Sequence, residues 1–298
     1  MKRIIEASGL EKTYGESKAV QNVSFSVQEN KIYGLLGRNG AGKTTLMKLI
    51  TAQVLPTGGE LKVFGEAPYE NSEVLSQICF VKESQKYPDN YRVKDAMEVA
   101  RQLFPNWDAD FAQALMEDFN LPLKRKIKKL SRGMLSALGV VIGLASRAPL
   151  TIFDEPYLGL DAVSRGIFYD RLMEDYAEYP RTVILSTHLI DEVSHLLEHV
   201  LVIANGEIVI DQNAENLRGR AFTVTGEASV TQNFLTGKEV IHREPFGGLL
   251  SATVIQDEYQ SERKQAEAAG LNVTDVSLQQ LIVHLTAAKH EQKGVIAK

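Results

Sequence analysis

Tyr33–Leu46 reads YGLLGRNGAGKTTL: an apolar strand runs into three glycines, a lysine and two threonines. Leu35 and Leu36 suit the buried end of a strand. Gly37, Gly40 and Gly42 allow a tight turn whose amide N–H groups point inward. From Lys43 the chain continues KTTLMKLITAQ, with good helix formers and with Leu46, Leu49 and Ile50 at helical spacing. Strand, glycine loop and helix N-terminus together make an anion cradle. The pattern G-x-x-x-x-G-K-[ST] is met by Gly37, Gly42, Lys43 and Thr44. In that pattern the lysine reaches the β- and γ-phosphates and the threonine hydroxyl ligates Mg²⁺. The stretch therefore predicts a polyphosphate ligand. A glycine-rich turn that merely holds a lysine is the plain alternative, and the flanking strand and helix argue against it.

Bulk properties narrow the class. The 298 residues exceed one small module, so a large domain with a small one is expected. Hydrophobic residues are 44% of the chain and mean hydropathy is -0.14, which describes an ordinary globule with a sizeable core. A net charge of -5 and a pI near 5.8 give no general attraction to nucleic acid or anionic lipid, and no nucleic-acid partner is expected. The one basic cluster, KRKIKK at Lys124–Lys129, reads as a solvated face. A single cysteine, Cys79, excludes an intrachain disulfide and fits a reducing compartment. The opening MKRIIEASGLEKTYG lacks the apolar run of a signal peptide, and no stretch of about 18 apolar residues could span a membrane. A cytoplasmic protein is expected, free to dock on something embedded.

Along the chain, strands interleave with helices. RIIEAS reads as a short strand, and Val23, Phe25 and Val27 in NVSFSV share one face. GELKVFG and QICFV are two further short strands. Val93–Asn120 turns helical, interrupted at FPNWD, where Pro105 stops one helix and Asp108 caps the next. A helical run over Met134–Ser146 precedes the apolar strand LTIF, RTVILST is another buried strand, and HVLVIANGEIVI is a hairpin turning at Asn205-Gly206. This order predicts an α/β core. After about Leu217 the character changes. RAFTVTGEASV and LLSATVIQ read as strands and Ser261–Ala269 and Leu278–Thr286 as helices, enough for a small α+β unit joined at Leu217–Arg220.

PLTIFDEPYLGLDA sets Asp154 and Glu155 side by side where an apolar strand emerges. Adjacent carboxylates repel unless a cation or proton relieves them. Asp154 suits Mg²⁺, and Glu155 is then placed to polarise a water in line with a γ-phosphate. The ordinary alternative is a capped turn into the next helix. VILSTHL ends a further buried strand with His188. Ligands of α/β sheets gather outside the carboxyl ends of the strands, so the three elements can converge on one site. His188 would there bond the γ-phosphate or the attacking water, whereas His195 in DEVSHLLEH reads as a helix-surface residue.

The chain resembles the ATP-binding subunit of an ABC transporter, of the exporter group paired with ABC-2-type permeases. The resemblance covers about Ile4–Leu217 well and the remainder loosely. GRNGAGKTT corresponds to the Walker A element, LTIFDE to Walker B, GLD with Asp161 to the D-loop and STH with His188 to the switch histidine. Tyr14 in EKTYG stands where the family has an aromatic that stacks on adenine. The resemblance implies that Gly37, Arg38, Asn39, Gly40, Ala41, Gly42, Lys43, Thr44 and Thr45 bind the nucleotide, with Lys43, Glu155 and His188 catalytic. LSRGM at Leu130–Met134 stands at the LSGGQ-like signature, where Ser131 and Gly133 would serve ATP held by a second subunit. Arg132 and Met134 depart from that motif, which puts side-chain contacts there in question but not backbone N–H contacts. The Q-loop position falls on Glu83, with Gln85 the nearest glutamine, so the Mg²⁺ set is Thr44, Asp154 and either Glu83 or Gln85.

The implied fold is a P-loop NTPase core with an antiparallel β subdomain and a helical subdomain, plus a small C-terminal α+β domain. The boundaries expected are 1–217 for the ATPase domain, with the helical subdomain about 93–147, and 218–298 for the accessory domain. The implied function is an ATPase using ATP and Mg²⁺, pairing head to tail with itself or a related second subunit. It would drive a separate membrane permease from the inner face of the cell membrane. The alternative is a soluble or regulatory ATPase of the same family, not coupled to transport.

Overall fold

A computed structural model describes residues 2–82, 85–256 and 261–296, the side chains of 288–296 excepted. The polypeptide packs as two compact units, Met1–His188 with Leu196–Asp211, and Leu189–His195 with Gln212–Lys298.

The first unit is built on two sheets. β1 (Arg3–Tyr14), β2 (Ser17–Gln28) and β4 (Gly58–Val63) form an antiparallel sheet in the order β2-β1-β4. The short strand expected at RIIEAS is thus a twelve-residue strand. Register shifts break its pairing with β2, one of them between Ala7 and Leu10, where Gly9 takes φ 56°. Val23, Phe25 and Val27 are all buried, as their alternation predicts.

The second sheet holds β3 (Ile32–Leu36), β5 (Ile78–Lys82), β6 (Leu150–Asp154), β7 (Thr182–Thr187), β8 (His199–Ala204) and β9 (Glu207–Asn213), in the order β5-β6-β7-β3-β8-β9. The pairs from β5 through β8 are parallel. Every residue of β3, β6 and β7 is buried, which is why these segments read as continuous apolar runs rather than alternating ones. Asn205 and Gly206 both have positive φ between β8 and β9, as the tight turn expected there requires. Helices Val93–Leu103 and Ala109–Asp118 flank the break at Pro105, and the Asp108 carboxylate caps the second by accepting from Phe111 N at 2.8 Å. Phe104 and Trp107 beside it are half-buried. The KRKIKK cluster is exposed except for Ile127.

In the second unit β10 (Ala221–Glu227), β11 (Val240–Phe246), β12 (Leu249–Ile255) and β13 (Asn272–Asp275) form an antiparallel sheet in the order β11-β12-β10-β13. Its core holds Phe222, Val224, Leu250, Ala252 and Val254 from the sheet, with Ala266 from helix Ser261–Ala268. The strand reading of RAFTVTGEASV is corrected at its end: Ala228–Phe234 is a helix.

Candidate functional site

β3, β7 and β6 are neighbours in the sheet, and their carboxyl ends deliver the glycine loop, His188 and the Asp154-Glu155 pair to one place. A cavity of about 430 Å³ opens there. Arg38, Asn39, Gly40, Gly42, Lys43, Thr44, Thr45, Asp154, Glu155 and His188 line it, together with Ala19 and Leu158.

The loop is held tightly enough at two of its glycines to exclude a side chain. A Cβ on Gly37 would lie 2.3 Å from the Ile203 carbonyl oxygen, and one on Gly42 would lie 2.5 Å from that of Ala19. Both glycines also have φ in the left-handed half of the map, 152° and 114°. The turn between β8 and β9 fastens the loop from outside, with Gly206 N donating to Ala41 O at 2.9 Å. Gly42 then caps helix Lys43–Ile50, whose first N–H groups have no intrahelical acceptor.

Lys43 is buried, and its ammonium donates to the carbonyls of Gly37 at 2.7 Å and Arg38 at 3.4 Å. It stands 3.7 Å from Glu155 Oε1. The Thr44 hydroxyl donates to Asp154 Oδ2 at 3.1 Å. Burial pushes the Asp154 carboxyl up from the usual range, opposed by the Thr44 hydrogen bond and by Lys43. That cost of ionisation is what a cation would relieve. A hydroxyl beside a carboxylate is a hard-oxygen pair that suits Mg²⁺, which takes one or two protein ligands and fills its octahedron with phosphate oxygens and water. Among the described residues no cluster of three His, Cys, Asp or Glu offers a complete protein-only cage.

Glu155 sits just past β6 with φ 52°. His188 Nδ1 lies 2.7 Å from its Oε2. Tyr157, buried to 3% exposure, hydrogen-bonds the same oxygen through its hydroxyl. The hydroxyl also lies 2.9 Å from His188 Nδ1 and accepts from the His188 backbone N–H at 3.0 Å. Tyr157 was not legible as a site residue in the sequence. The one signal was its place, an aromatic between the paired carboxylates and GLD.

The other expected residues lie outside this cavity. Tyr14 is exposed at the end of β1, with Lys12 Nζ 5.0 Å from its ring centroid. Ser131 caps helix Arg132–Ala145, accepting from Met134 N at 3.2 Å, so its hydroxyl hydrogen remains available to a ligand. The helix thus starts at Arg132, two residues before the expected Met134. A Cβ on Gly133 would lie 2.5 Å from Gly159 O, and Ser136 Oγ donates to Leu158 O at 2.6 Å. The signature segment is thereby fastened to the loop that follows Glu155. Asp161 caps helix Ala162–Glu178, and the Ser164 N–H it accepts holds its pKa low. Gln85 is half-buried and does not line the cavity, while Glu83 lies outside the described residues. His195 is exposed, as read.

Known proteins show which family the chain resembles. The ABC transporter family profile matches residues 20–158. The bacitracin transport ATP-binding protein BcrA of Bacillus licheniformis is 31% identical over 225 residues, 74% of this chain and 73% of that protein. The lantibiotic transport ATP-binding protein SrtF of Streptococcus pyogenes is 30% identical over 228 residues, 72% of this chain and 94% of its own.

The chain belongs to the ABC transporter ATP-binding proteins.

Its fold matches a solved ATP-binding subunit of an ABC transporter with a TM-score of 0.66 at 23% identity, over 72% of this chain and 91% of that one. As a member of this family it is an ATP-binding cassette and an ATPase. No helix among its described residues is long and apolar enough to cross a membrane.

Proposed function

We propose that this ABC ATPase powers export through a separate membrane permease, working as a head-to-tail pair in which two copies, or one copy and a related subunit, enclose ATP. The observation that carries the reading is the convergence of Lys43, Thr44 with Asp154, Glu155 and His188 at the ends of three adjacent parallel strands. The named transport roles of the bacitracin and lantibiotic relatives support export. ATP-dependent pairing explains why Ser131, Gly133 and Asp161 lie outside the cavity: they would serve the nucleotide of the other subunit.

In this scheme the loop N–H groups from Arg38 to Thr45 receive the phosphates, Lys43 neutralises the β- and γ-oxygens, and Tyr14 stacks on adenine. A water oxygen attacks the γ-phosphorus, the bond to the β–γ bridging oxygen breaks, and Glu155 accepts the water's proton, leaving ADP and phosphate. His188 orients that water or the γ-phosphate. Thr44 and Asp154 would hold Mg²⁺ together with the residue that follows β5, Glu83 or Gln85, and the ion would supply positive charge to the phosphate oxygens. Residues 1–217 make up the ATPase domain, with 93–147 as the helical part that meets the permease, and 218–298 form an accessory domain. The subunit works at the cytoplasmic face of the membrane, held there by its permease.

The test is steady-state hydrolysis by the full chain with ATP and Mg²⁺. Lys43→Ala is expected to abolish turnover while leaving the fold intact. Normal hydrolysis by that variant would overturn the assignment of the pocket.

A further inference from the structure

A carboxylate only accepts, so the single hydroxyl hydrogen of Tyr157 goes to Glu155 Oε2. The backbone N–H of His188 donates to the same hydroxyl oxygen at 3.0 Å. His188 Nδ1 faces two acceptors, Glu155 Oε2 at 2.7 Å and the Tyr157 oxygen at 2.9 Å, whose own hydrogen is already committed. Nδ1 therefore carries the proton, which leaves Nε2 as the ring's other polar atom. The Tyr157 ring is buried and set edge-on to the imidazole, 5.5 Å between centroids at 69°, so the hydroxyl has a fixed seat.

From this geometry we infer that Tyr157 is a positioning residue for hydrolysis: its hydroxyl ties the Glu155 carboxylate to His188 and so fixes both groups that face the attacking water. The inference rests on the pocket assignment proposed above. Oε2 of Glu155 is anchored by Tyr157 and His188, and Oε1 remains on the side of Lys43, 3.7 Å away. The carboxylate thus has one defined orientation at the end of β6. Without the hydroxyl, Glu155 keeps a single partner on Oε2 and gains rotational freedom. An error of about 1 Å in the position of a general base is enough to cost on the order of a hundredfold in rate. The hydroxyl bonds Glu155 and His188 rather than the loop or Lys43, which receive the phosphates.

The structure also gives Tyr157 a plain structural duty, since the hydroxyl accepts from the His188 backbone N–H and from the Thr187 side chain. Two variants of the full chain separate the duties. Tyr157→Phe keeps the ring and removes both donor and acceptor. Site-specific p-aminophenylalanine at 157 restores a donor at the same place but only a poor acceptor. With ATP and Mg²⁺, Tyr157→Phe is expected to lower kcat about tenfold or more, with KM and equilibrium ATP affinity within about twofold of wild type. The p-amino variant should regain most of the lost kcat. The inference is overturned if Tyr157→Phe turns over like wild type, or loses ATP affinity in step with kcat. It is equally overturned if the p-amino variant binds ATP normally yet stays slow, a test that stands even if Tyr157→Phe fails to fold. Wild-type turnover in the same assay keeps the two readings apart: an inert wild type overturns the pocket assignment and this inference with it. An active wild type matched by Tyr157→Phe overturns this inference alone.

Discussion

Glu155 carries its side chain from a backbone at φ 52°, where an L-residue's Cβ crowds the following carbonyl. A β-strand that ends in such a residue turns sharply, which is how Glu155 comes to face the cavity immediately after β6. Strain of this kind persists only where the surroundings over-determine the conformation. Here they do so through Tyr157, His188, Lys43 and the bond from Glu155 N to Ser186 O at 3.2 Å. Comparing two variants that both lack the carboxylate isolates the backbone part. Glu155→Gly and Glu155→Ala both lose the carboxylate contacts, but only glycine is free of the Cβ penalty. Glu155→Gly is therefore expected to be the more stable by about 1 kcal/mol in urea unfolding. Cys79 is buried on β5, the edge strand of the six-stranded sheet, where burial pushes the thiol up to about 12. At pH 8 it holds almost no thiolate, the form that reacts. Labelling by iodoacetamide should be negligible in the folded chain and should rise only with urea, following unfolding of the first unit; rapid labelling in native buffer would contradict the buried placement.

Helix Arg132–Ala145 shows how one element couples packing to the site. Its first turn is fastened to Leu158 and Gly159, and its last lies on the strand that bears Asp154. Gly143 makes the second contact close. A Cβ there would stand 2.4 Å from Phe153 Cε1 and 2.9 Å from Val81 Cγ2. Phe153 has no room to retreat, being fully buried and edge-on to Phe168 at 5.2 Å. On an open helix, Gly→Ala would gain about 1 kcal/mol of propensity. Overpacking of a filled core costs roughly 1–3 kcal/mol. The second effect wins, so Gly143→Ala is expected to lower stability by on the order of 1 kcal/mol in urea unfolding. Elements whose physics is local were legible in the sequence: the glycine loop, the Asp108 cap, the Asn205-Gly206 turn and the buried strands β3, β6 and β7. Elements set by partners were not. β1 continues past Gly9 through the polar LEKTY because β2 and β4 supply its hydrogen bonds, and β11 is an edge strand whose exposed HREPF has no alternation to read. Tyr157 carried no legible role, because its hydroxyl meets His188 only where the ends of the neighbouring strands β6 and β7 come together.

For the whole molecule, the cavity holds one half of the expected chemistry and the signature helix presents the other half elsewhere on the same chain. In a two-fold pair each contact is made twice, so Ser131 of one copy would meet the nucleotide on Lys43 of the other, and the converse. Two damaged chains can then repair each other. Lys43→Ala removes the loop cation but keeps a sound signature. Ser131→Arg spoils the signature with bulk and charge but keeps a sound loop. Each variant alone builds only defective sites. In a mixed pair both defects fall in one site, and the other is assembled wholly from intact parts. If pairing is random, about half the pairs are mixed and about a quarter of all sites are sound. An equal mixture of the two variants should therefore recover up to about a quarter of wild-type hydrolysis per chain, at concentrations where ATP brings chains together. If each variant folds and pairs with ATP yet the mixture stays as inactive as its components, the sites are not shared between copies. A Ser131→Arg chain that hydrolyses ATP normally by itself would place all the chemistry within one subunit.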